Sequence, residues 1–319
     1  MKDSSIKAGI IGAGYWGKKH VEEYAALGAQ TFVTDLSEEN LKSCREKYGS
    51  ATYSDYRKIL GDPSIKTVSI CTPNSTHYKM CKEALESGKN VLVEKPFTLT
   101  YDKALELIKI AETKKLTLAV GHVYRFNNAI AKAKELVTSG ALGDIYTVDF
   151  KWTNLEPVWA DRDIIFDLGA HPLDIVLNIF GKMPRNVFCN GAGFRQENPE
   201  AAMINYNLGN VFVSMELSWV NPTKARTMTI VGSKKSIEVD CVNQTIKETD
   251  NAARAMTEVP VTRNNTLGDE LAHFIESANT GKRAIHDAEI GGQVVRLLEL
   301  ARNSLQQKKV LSILNGAEL

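Results

Sequence analysis

The chain reads as an α/β protein in two parts. A doubly wound parallel sheet comes first, and a second α/β domain with an open, mainly antiparallel sheet follows. Three observations lead there. Up to Val120, short apolar runs alternate with helical stretches of about ten residues, the pattern of strands joined by crossover helices. A glycine-rich turn, Gly12-Ala13-Gly14-Tyr15-Trp16-Gly17, stands between the first run and the first helix. Beyond Val120 extended segments dominate, and Asn207-Leu208-Gly209-Asn210 and Gly232-Ser233-Lys234-Lys235 read as hairpin turns.

Residues 8–11 form the first strand, and a helix over 16–27 ends at Gly28. Residues 31–34 form the second strand, closed by Asp35. A helix over 37–48 starts on Ser37 as N-cap, with Glu38 and Glu39 in the turn where the helix dipole favours acids. A short helix over 55–60 breaks at Gly61-Asp62-Pro63. Residues 66–71, 91–93 and 116–120 read as the third, fourth and fifth strands, with helices over 78–87 and 101–113 between them. Right-handed crossovers then open the loops after the first, third and fourth strands on one edge. The domain boundary falls near His122, giving a first domain over 1–122 and a second over 123–319.

The second part opens with a helix over 128–139, closed by Gly140. Strands follow at 144–152, 186–191, 201–206, 211–219, 226–231 and 236–239, with one long helix inserted between the first two. Helices over 268–279 and 287–306 end the chain. With 319 residues there is room for about two domains of roughly 150 residues each. A net charge of +1 argues against a nucleic-acid or membrane-surface partner. The N-terminal residues 1–7 carry no long apolar run, so no signal peptide is expected, and nothing approaches the roughly 18 apolar residues of a membrane span. Cys44, Cys71, Cys81, Cys189 and Cys241 are odd in number and never CxxC. That fits a cytoplasmic protein with no disulfide framework and no cysteine zinc site.

The glycine turn is a G-x-G-x-x-G with a chemical logic. The first glycine allows the tight turn, the second lets a pyrophosphate approach the backbone, and the third lets helix and strand pack closely. The helix N-terminus adds free N–H groups and a positive dipole. Gly12, Gly14, Tyr15, Trp16 and Gly17 are therefore assigned to a dinucleotide. Asp35 at the end of the next strand suits a ribose 2′-hydroxyl and repels a 2′-phosphate, favouring NAD over NADP. Thr72, Pro73, Asn74 and His77 belong to the polar loop after the third strand, and Glu94 and Lys95 to the end of the fourth. Pro96 stops that strand. All are expected in the same crevice, where open α/β sheets put ligands. The plainer alternatives are a surface Lys-Pro turn and a solvated loop histidine.

The inserted helix carries Asp167-Leu168-Gly169-Ala170-His171-Pro172-Leu173-Asp174. Asp167 and His171 are four apart and share one face, with Asp174 on nearly the same side. A carboxylate beside an imidazole orients it and raises its basicity, as a general base requires. The alternative is a helix start with Asp167 as cap and a satisfied histidine. No metal site is read here, because one histidine has no HxxxH or cysteine partner.

Together these residues resemble the Gfo/Idh/MocA family of NAD(P)-dependent sugar and polyol oxidoreductases, across almost the whole chain. The resemblance rests on the glycine loop, Thr72-Pro73-Asn74 with His77, Glu94-Lys95-Pro96 and the D-x-G-x-H-x-x-D of Asp167 to Asp174. It implies a Rossmann domain followed by an open-sheet α/β domain, and a catalytic group of Lys95, Asp167 and His171. Two further stretches resemble the branch of nucleotide-sugar (UDP-N-acetylglucosamine-type) 3-dehydrogenases. They are Gly121-His122-Val123-Tyr124-Arg125-Phe126-Asn127 and Ser218-Trp219-Val220-Asn221-Pro222-Thr223-Lys224-Ala225-Arg226. Asn128 and Pro172 stand where that pattern leads us to expect Pro and Asp.

The expected activity is NAD-dependent hydride transfer from a sugar-ring alcohol, with Lys95, Tyr124 and His171 against the substrate. Arg125, Arg162, Lys224 and Arg226 are the expected cations for a diphosphate, as against ordinary solvated charges. Inositol or aldose oxidation and ketosugar reduction are the alternatives within enzymes. A non-catalytic dinucleotide sensor is the alternative outside them, and a purely structural role explains none of the loops. A homodimer or homotetramer is expected.

Overall fold

The computed structural model describes residues 6–158 and 162–313. Residues 1–5, on which the expectation about a signal peptide partly rests, lie outside the described residues. The chain divides into two compact units, 1–123 with 265–295, and 124–264 with 296–319. The first break is beside the expected His122, but the second part is not continuous. Residues 265–295 return to the first unit because a helix there packs on the helix that follows the glycine loop.

In the first unit, six parallel strands form one sheet among the described residues. They are β1 (Lys7–Ile11), β2 (Gln30–Thr34), β3 (Ala51–Tyr53), β4 (Thr67–Ile70), β5 (Asn90–Val93) and β6 (Leu118–Val120), in the order β3-β2-β1-β4-β5-β6. That is the doubly wound dinucleotide-binding order, with its switch point between β1 and β4. The segment read as the third strand is thus the fourth. The edge strand β3 has only three residues, all half-buried, and offers neither an apolar run nor an alternation to read. Helices α1 (Tyr15–Ala26), α2 (Glu38–Tyr48), α3 (Arg57–Gly61), α4 (His77–Glu86) and α5 (Tyr101–Lys114) connect the strands. Ser37 caps α2 as expected, its side chain accepting from the Asn40 N–H at 3.3 Å. Val21 and Tyr24 of α1, Leu41 and Cys44 of α2 and Ile10 and Val33 of the sheet form one core. Leu267, Leu271 and Phe274 of the returning helix complete it.

The second unit starts with α6 (Asn128–Thr138). Its sheet has nine strands among the described residues: β7 (Ile145–Leu155), β8 (Asn186–Ala192), β9 (Ala201–Leu208), β10 (Val211–Ser218), β11 (Val220–Gly232), β12 (Lys235–Asp240), β13 (Thr245–Asp250), β14 (Met256–Val259) and β15 (Leu311–Ser312). The order is β14-β13-β12-β11-β7-β10-β9-β8-β15, and only β7 and β10 run parallel. The long insertion between β7 and β8 lets β10 return alongside β7 in the same direction. One face alternates into a core of Phe150, Trp152, Ile204, Val213, Met215, Leu217, Met228 and Ile230, covered by α6 and the inserted helix α7 (Ile164–Phe180). The other face exposes Phe188, Met203 and Phe212 among polar residues. α8 (Thr266–Thr280) is the returning helix, and the unit boundary falls within α9 (Ala288–Gln307). Among the described residues no helix is long and apolar enough to cross a membrane.

The start of α6 explains one departure from the family pattern. Asn127 is the N-cap, accepting from the N–H groups of Ala129 at 3.0 Å and Ile130 at 3.2 Å. Asn128 is the first helical residue. Its N–H donates to Asn264 Oδ1 at 3.2 Å and its side-chain amide to the Thr262 carbonyl at 2.7 Å. Proline is normally welcome at this helical position, but here it would delete both bonds. Asn128→Pro is therefore expected to lower stability by about 1–2 kcal/mol. A denaturation midpoint equal to the wild type's would show that these bonds contribute nothing.

Candidate active site

The parallel sheet brings the first unit's site residues to one edge by register. Ile11 pairs with Thr34 and Ile70, Ile70 with Val93, and Val93 with Val120, so five strands end in a row. The next residue along each strand continues the ladder. Gly12 N–H donates to Thr34 O at 2.8 Å, Cys71 N–H to Ile11 O at 2.8 Å, Glu94 N–H to Ile70 O at 2.9 Å and Gly121 N–H to Val93 O at 2.7 Å. The glycine loop, the Thr72–His77 loop and the Glu94-Lys95 turn therefore open on the same edge, as the crossover rule requires.

The glycine loop has the shape its sequence demands. Gly12 sits at φ +93°, open only to glycine without strain, and a Cβ on Gly17 would lie 1.9 Å from the Gly12 carbonyl oxygen. A Cβ on Gly14 would meet no atom within 4 Å. That open space lies at the N-terminus of α1, whose N-cap Gly14 offers no capping side chain and whose first turn holds no acid. A pyrophosphate fits there, against unshared N–H groups. Asp35 Oδ2 accepts from the Ala13 N–H at 2.6 Å, and Oδ1 accepts from the Ser37 N–H at 2.7 Å. The carboxylate thus fixes the loop while its half-exposed edge stays available to a ribose. Tyr15 and Trp16 are exposed beside the loop, with the Lys19 ammonium 5.1 Å and 5.8 Å from their ring centres.

His77 departs from the sequence reading. It is fully buried, with Nδ1 2.8 Å from the Pro96 carbonyl oxygen and Nε2 2.9 Å from the Thr72 carbonyl oxygen. It therefore latches the Thr72 loop to the lysine turn and presents no free edge to a cofactor. Burial pushes the imidazole below its ordinary value, outweighing the two carbonyl acceptors, so the ring is neutral at pH 7 and its single N–H donates to one of the two carbonyls at a time. Glu94 is buried too. It faces His20 on α1, a residue the sequence reading passed over because a lone histidine in a helix carries no spacing signal. Lys95 follows it at the half-exposed turn, and the Lys95–Pro96 bond is cis.

In the second unit α7 presents the motif. Asp163 is its N-cap, accepting from the Ile165 N–H at 2.8 Å, so the cap reading for Asp167 falls. Asp167 and His171 are half-buried on a helix whose other residues from Ile164 to Leu177 are buried. The His171 ring stands edge-on to Tyr124, with centres 5.0 Å apart, and Tyr124 stands edge-on to Trp152 at 5.4 Å. Burial pushes the Tyr124 hydroxyl well up, so it stays protonated. Helix α7 continues through Pro172 at the loss of one internal bond, to the Leu168 carbonyl.

The four expected phosphate cations separate. Arg125 Nε donates to Asp174 Oδ1 at 2.7 Å, both side chains being buried, so this arginine ties the Tyr124 segment to α7 instead of facing a diphosphate. Arg226 lies over Trp152 and donates from Nη1 to the Thr153 and Ala225 carbonyls at 2.8 Å and 2.7 Å, and from Nη2 to Asn154 Oδ1 at 2.7 Å. Asp167 lies within its electrostatic reach. Lys224 is exposed and Arg162 half-buried.

The buried neutral His77 makes stability depend on pH. Unfolded, it takes up a proton near its ordinary value of about 6.5, and folded it resists until lower pH. Between those values the unfolded state binds more protons, so stability present above about pH 6.5 drains as pH falls. His77→Gln should flatten this slope. Equal loss of melting temperature between pH 7.5 and 5.5 in both proteins would remove His77 as the cause.

The sequence model of the oxidoreductase family with an NAD-binding Rossmann fold, Gfo/Idh/MocA, matches residues 6–122, and the model of the Gfo/Idh/MocA C-terminal domain matches residues 130–238. The chain is 27% identical over 299 residues to the UDP-N-acetylglucosamine 3-dehydrogenase of Acidithiobacillus ferrooxidans, covering 91% of this chain and 94% of that protein. A solved structure of that enzyme, GnnA, is similar to this one with a TM-score of 0.85 at 26% identity, over 95% of this chain and 98% of the other. The scyllo-inositol 2-dehydrogenase (NADP(+)) IolW of Bacillus subtilis is 23% identical over 348 residues, 98% of this chain and 97% of that one. With one family's two domains matched in order on the two parts of the sequence, the chain belongs to the Gfo/Idh/MocA family of NAD-binding oxidoreductases.

Proposed function

We propose that this protein oxidises a ring alcohol of a nucleotide-activated sugar, at C3 of an N-acetylated hexosamine, with NAD as oxidant. The observation that carries the chemistry is the Asp167–His171 face of α7, half-buried beside Tyr124 on a helix otherwise packed into the core. The substrate reading is supported by likeness along nearly the whole chain to a UDP-N-acetylglucosamine 3-dehydrogenase.

NAD, when bound, supplies the hydride acceptor. His171 takes the hydroxyl proton, since an imidazole is the side chain whose ordinary pKa suits a base near neutral pH. Asp167 orients that ring from one helical turn away. Lys95 donates to the same oxygen and stabilises the negative charge that develops on it. Tyr124 packs against the imidazole and limits its rotation. Lys224 and Arg162 meet the diphosphate, with Arg226 setting the charge around Asp167. The homo-oligomer expected from the sequence stays in this proposal, with the outer sheet face of the second unit as its surface.

One observation favours a second reading. Arg125 and Arg226 are engaged inside the unit, which thins the cationic patch a diphosphate needs. A neutral polyol would not need it, and an inositol dehydrogenase is among the relatives.

Lys95→Ala and His171→Ala should each lower kcat by about 10²-fold while NAD still binds. Near-normal turnover in both would return the protein to the sensor reading. For the substrate, UDP-N-acetylglucosamine and myo-inositol are compared at matched concentration. Turnover of the nucleotide sugar alone is expected, and salt should weaken it by screening the cations. Turnover of inositol alone would replace the first reading with the second.

A further inference from the structure

A buried histidine–carboxylate contact under the lysine turn has no place in the chemistry above. His20 lies on α1, three residues beyond Gly17, and is fully buried. Its Nε2 is 3.0 Å from Glu94 Oε1, with side chains 0% and 11% exposed. Among the described residues its Nδ1 is buried with no hydrogen-bond partner, and the ring's polar contact is the one to Glu94. Glu94 Oε2 in turn accepts from the Lys95 backbone N–H at 3.2 Å. One carboxylate therefore joins the helix that follows the glycine loop to the backbone of the lysine.

Burial alone would raise the Glu94 carboxyl, but the His20 hydrogen bond, with the charges of His20 and Lys95 beside it, holds it below its ordinary range. The groups that face it are His20 from α1, His77 from α4 and Lys95 on its own turn. Cys71 lies at the end of β4, with Glu270 of α8 acting on that thiol from beyond. His20 makes a side-chain hydrogen bond to the carboxylate.

We propose that His20 is a positioning residue for the reaction: by fixing the Glu94 carboxylate it sets the place and electrostatic surroundings of Lys95 relative to the glycine loop. This rests on the role proposed for Lys95. A histidine at this point can do what an apolar residue cannot, because it brings a donor to a buried carboxylate whose other oxygen already serves the lysine turn.

The test compares His20→Leu, which removes the donor, with His20→Gln, whose amide nitrogen reaches the position of Nε2. His20→Leu should lower kcat about 10- to 100-fold, the scale of a small misplacement at a reacting group, with NADH affinity nearly unchanged. It should also move the acid limb of the kcat profile to higher pH, as Glu94 becomes easier to protonate. His20→Gln should recover most of kcat. Glu94→Gln should lose kcat as well, and the double variant with His20→Leu should be no worse than Glu94→Gln alone. Wild-type kcat in His20→Leu, or equal loss in Leu and Gln variants with additive effects in the double variant, would overturn the proposal. A readout independent of turnover is the carboxyl carbon resonance of Glu94 titrated in the protein without substrate. Its midpoint should rise in His20→Leu and not in His20→Gln, and an unmoved midpoint also overturns it. If the wild-type protein oxidises no sugar or polyol, the functional reading fails while this titration still decides the pairing.

Discussion

The register of the parallel sheet is the constraint on which the first unit depends. Thr34, Ile11, Ile70, Val93 and Val120 are locked side by side by ladder hydrogen bonds, and each is followed at once by a residue that belongs to the site or packs on it. A slip of one residue in any strand would turn its side chains to the opposite face and move its loop out of line. Buried Val33, Ile10, Ile70 and Leu92 forbid that slip. The precision of the crevice thus comes from the core, and the loops themselves inherit it.

In the second unit the corresponding support is a helix. Nearly every residue of α7 is buried, so Asp167 and His171, half-buried on it, are held as firmly as the core that surrounds them. The Arg125–Asp174 pair extends that hold to the Tyr124 segment. Such a pair adds little net stability, since desolvating both charges offsets most of their attraction. Its effect is to leave one arrangement of the aromatic wall beside His171, because any other would bury an unpaired charge.

Most of both parts was legible before any coordinates. The glycine loop, Asp35, the Glu94-Lys95 turn and the i, i+4 pair on α7 are local patterns, and local patterns survive folding. What escaped were matters of tertiary partnership. Strand β3 is too short to show a period, and β13 and β14 are mostly polar strands at a sheet edge, with only Ile246 fully buried. The return of residues 265–295 to the first unit depends on which surface α8 finds, and its apolar stripe does not name that surface. His20 and His77 are the same kind of case. A histidine that will be buried and one that will face solvent look alike in a sequence. Arg125 is the reverse error: a cation beside a site was read as a ligand-binder, whereas its partner lay 49 residues away on α7.

Asp35 carries a consequence for how this enzyme could change over evolutionary time. The carboxylate proposed to exclude a 2′-phosphate is also the acceptor for the Ala13 N–H inside the glycine loop. On that proposal coenzyme choice and loop shape share a single side chain. A lineage drifting toward the phosphorylated coenzyme cannot simply replace Asp35 with a small neutral residue, because the loop would lose an internal anchor at the same step. It must first acquire a substitute acceptor for that N–H, or retain the acid and place an arginine nearby. The exposed Leu36 next door, 98% accessible, is free to become that arginine. The order in which these two positions change is thus constrained by one 2.6 Å hydrogen bond.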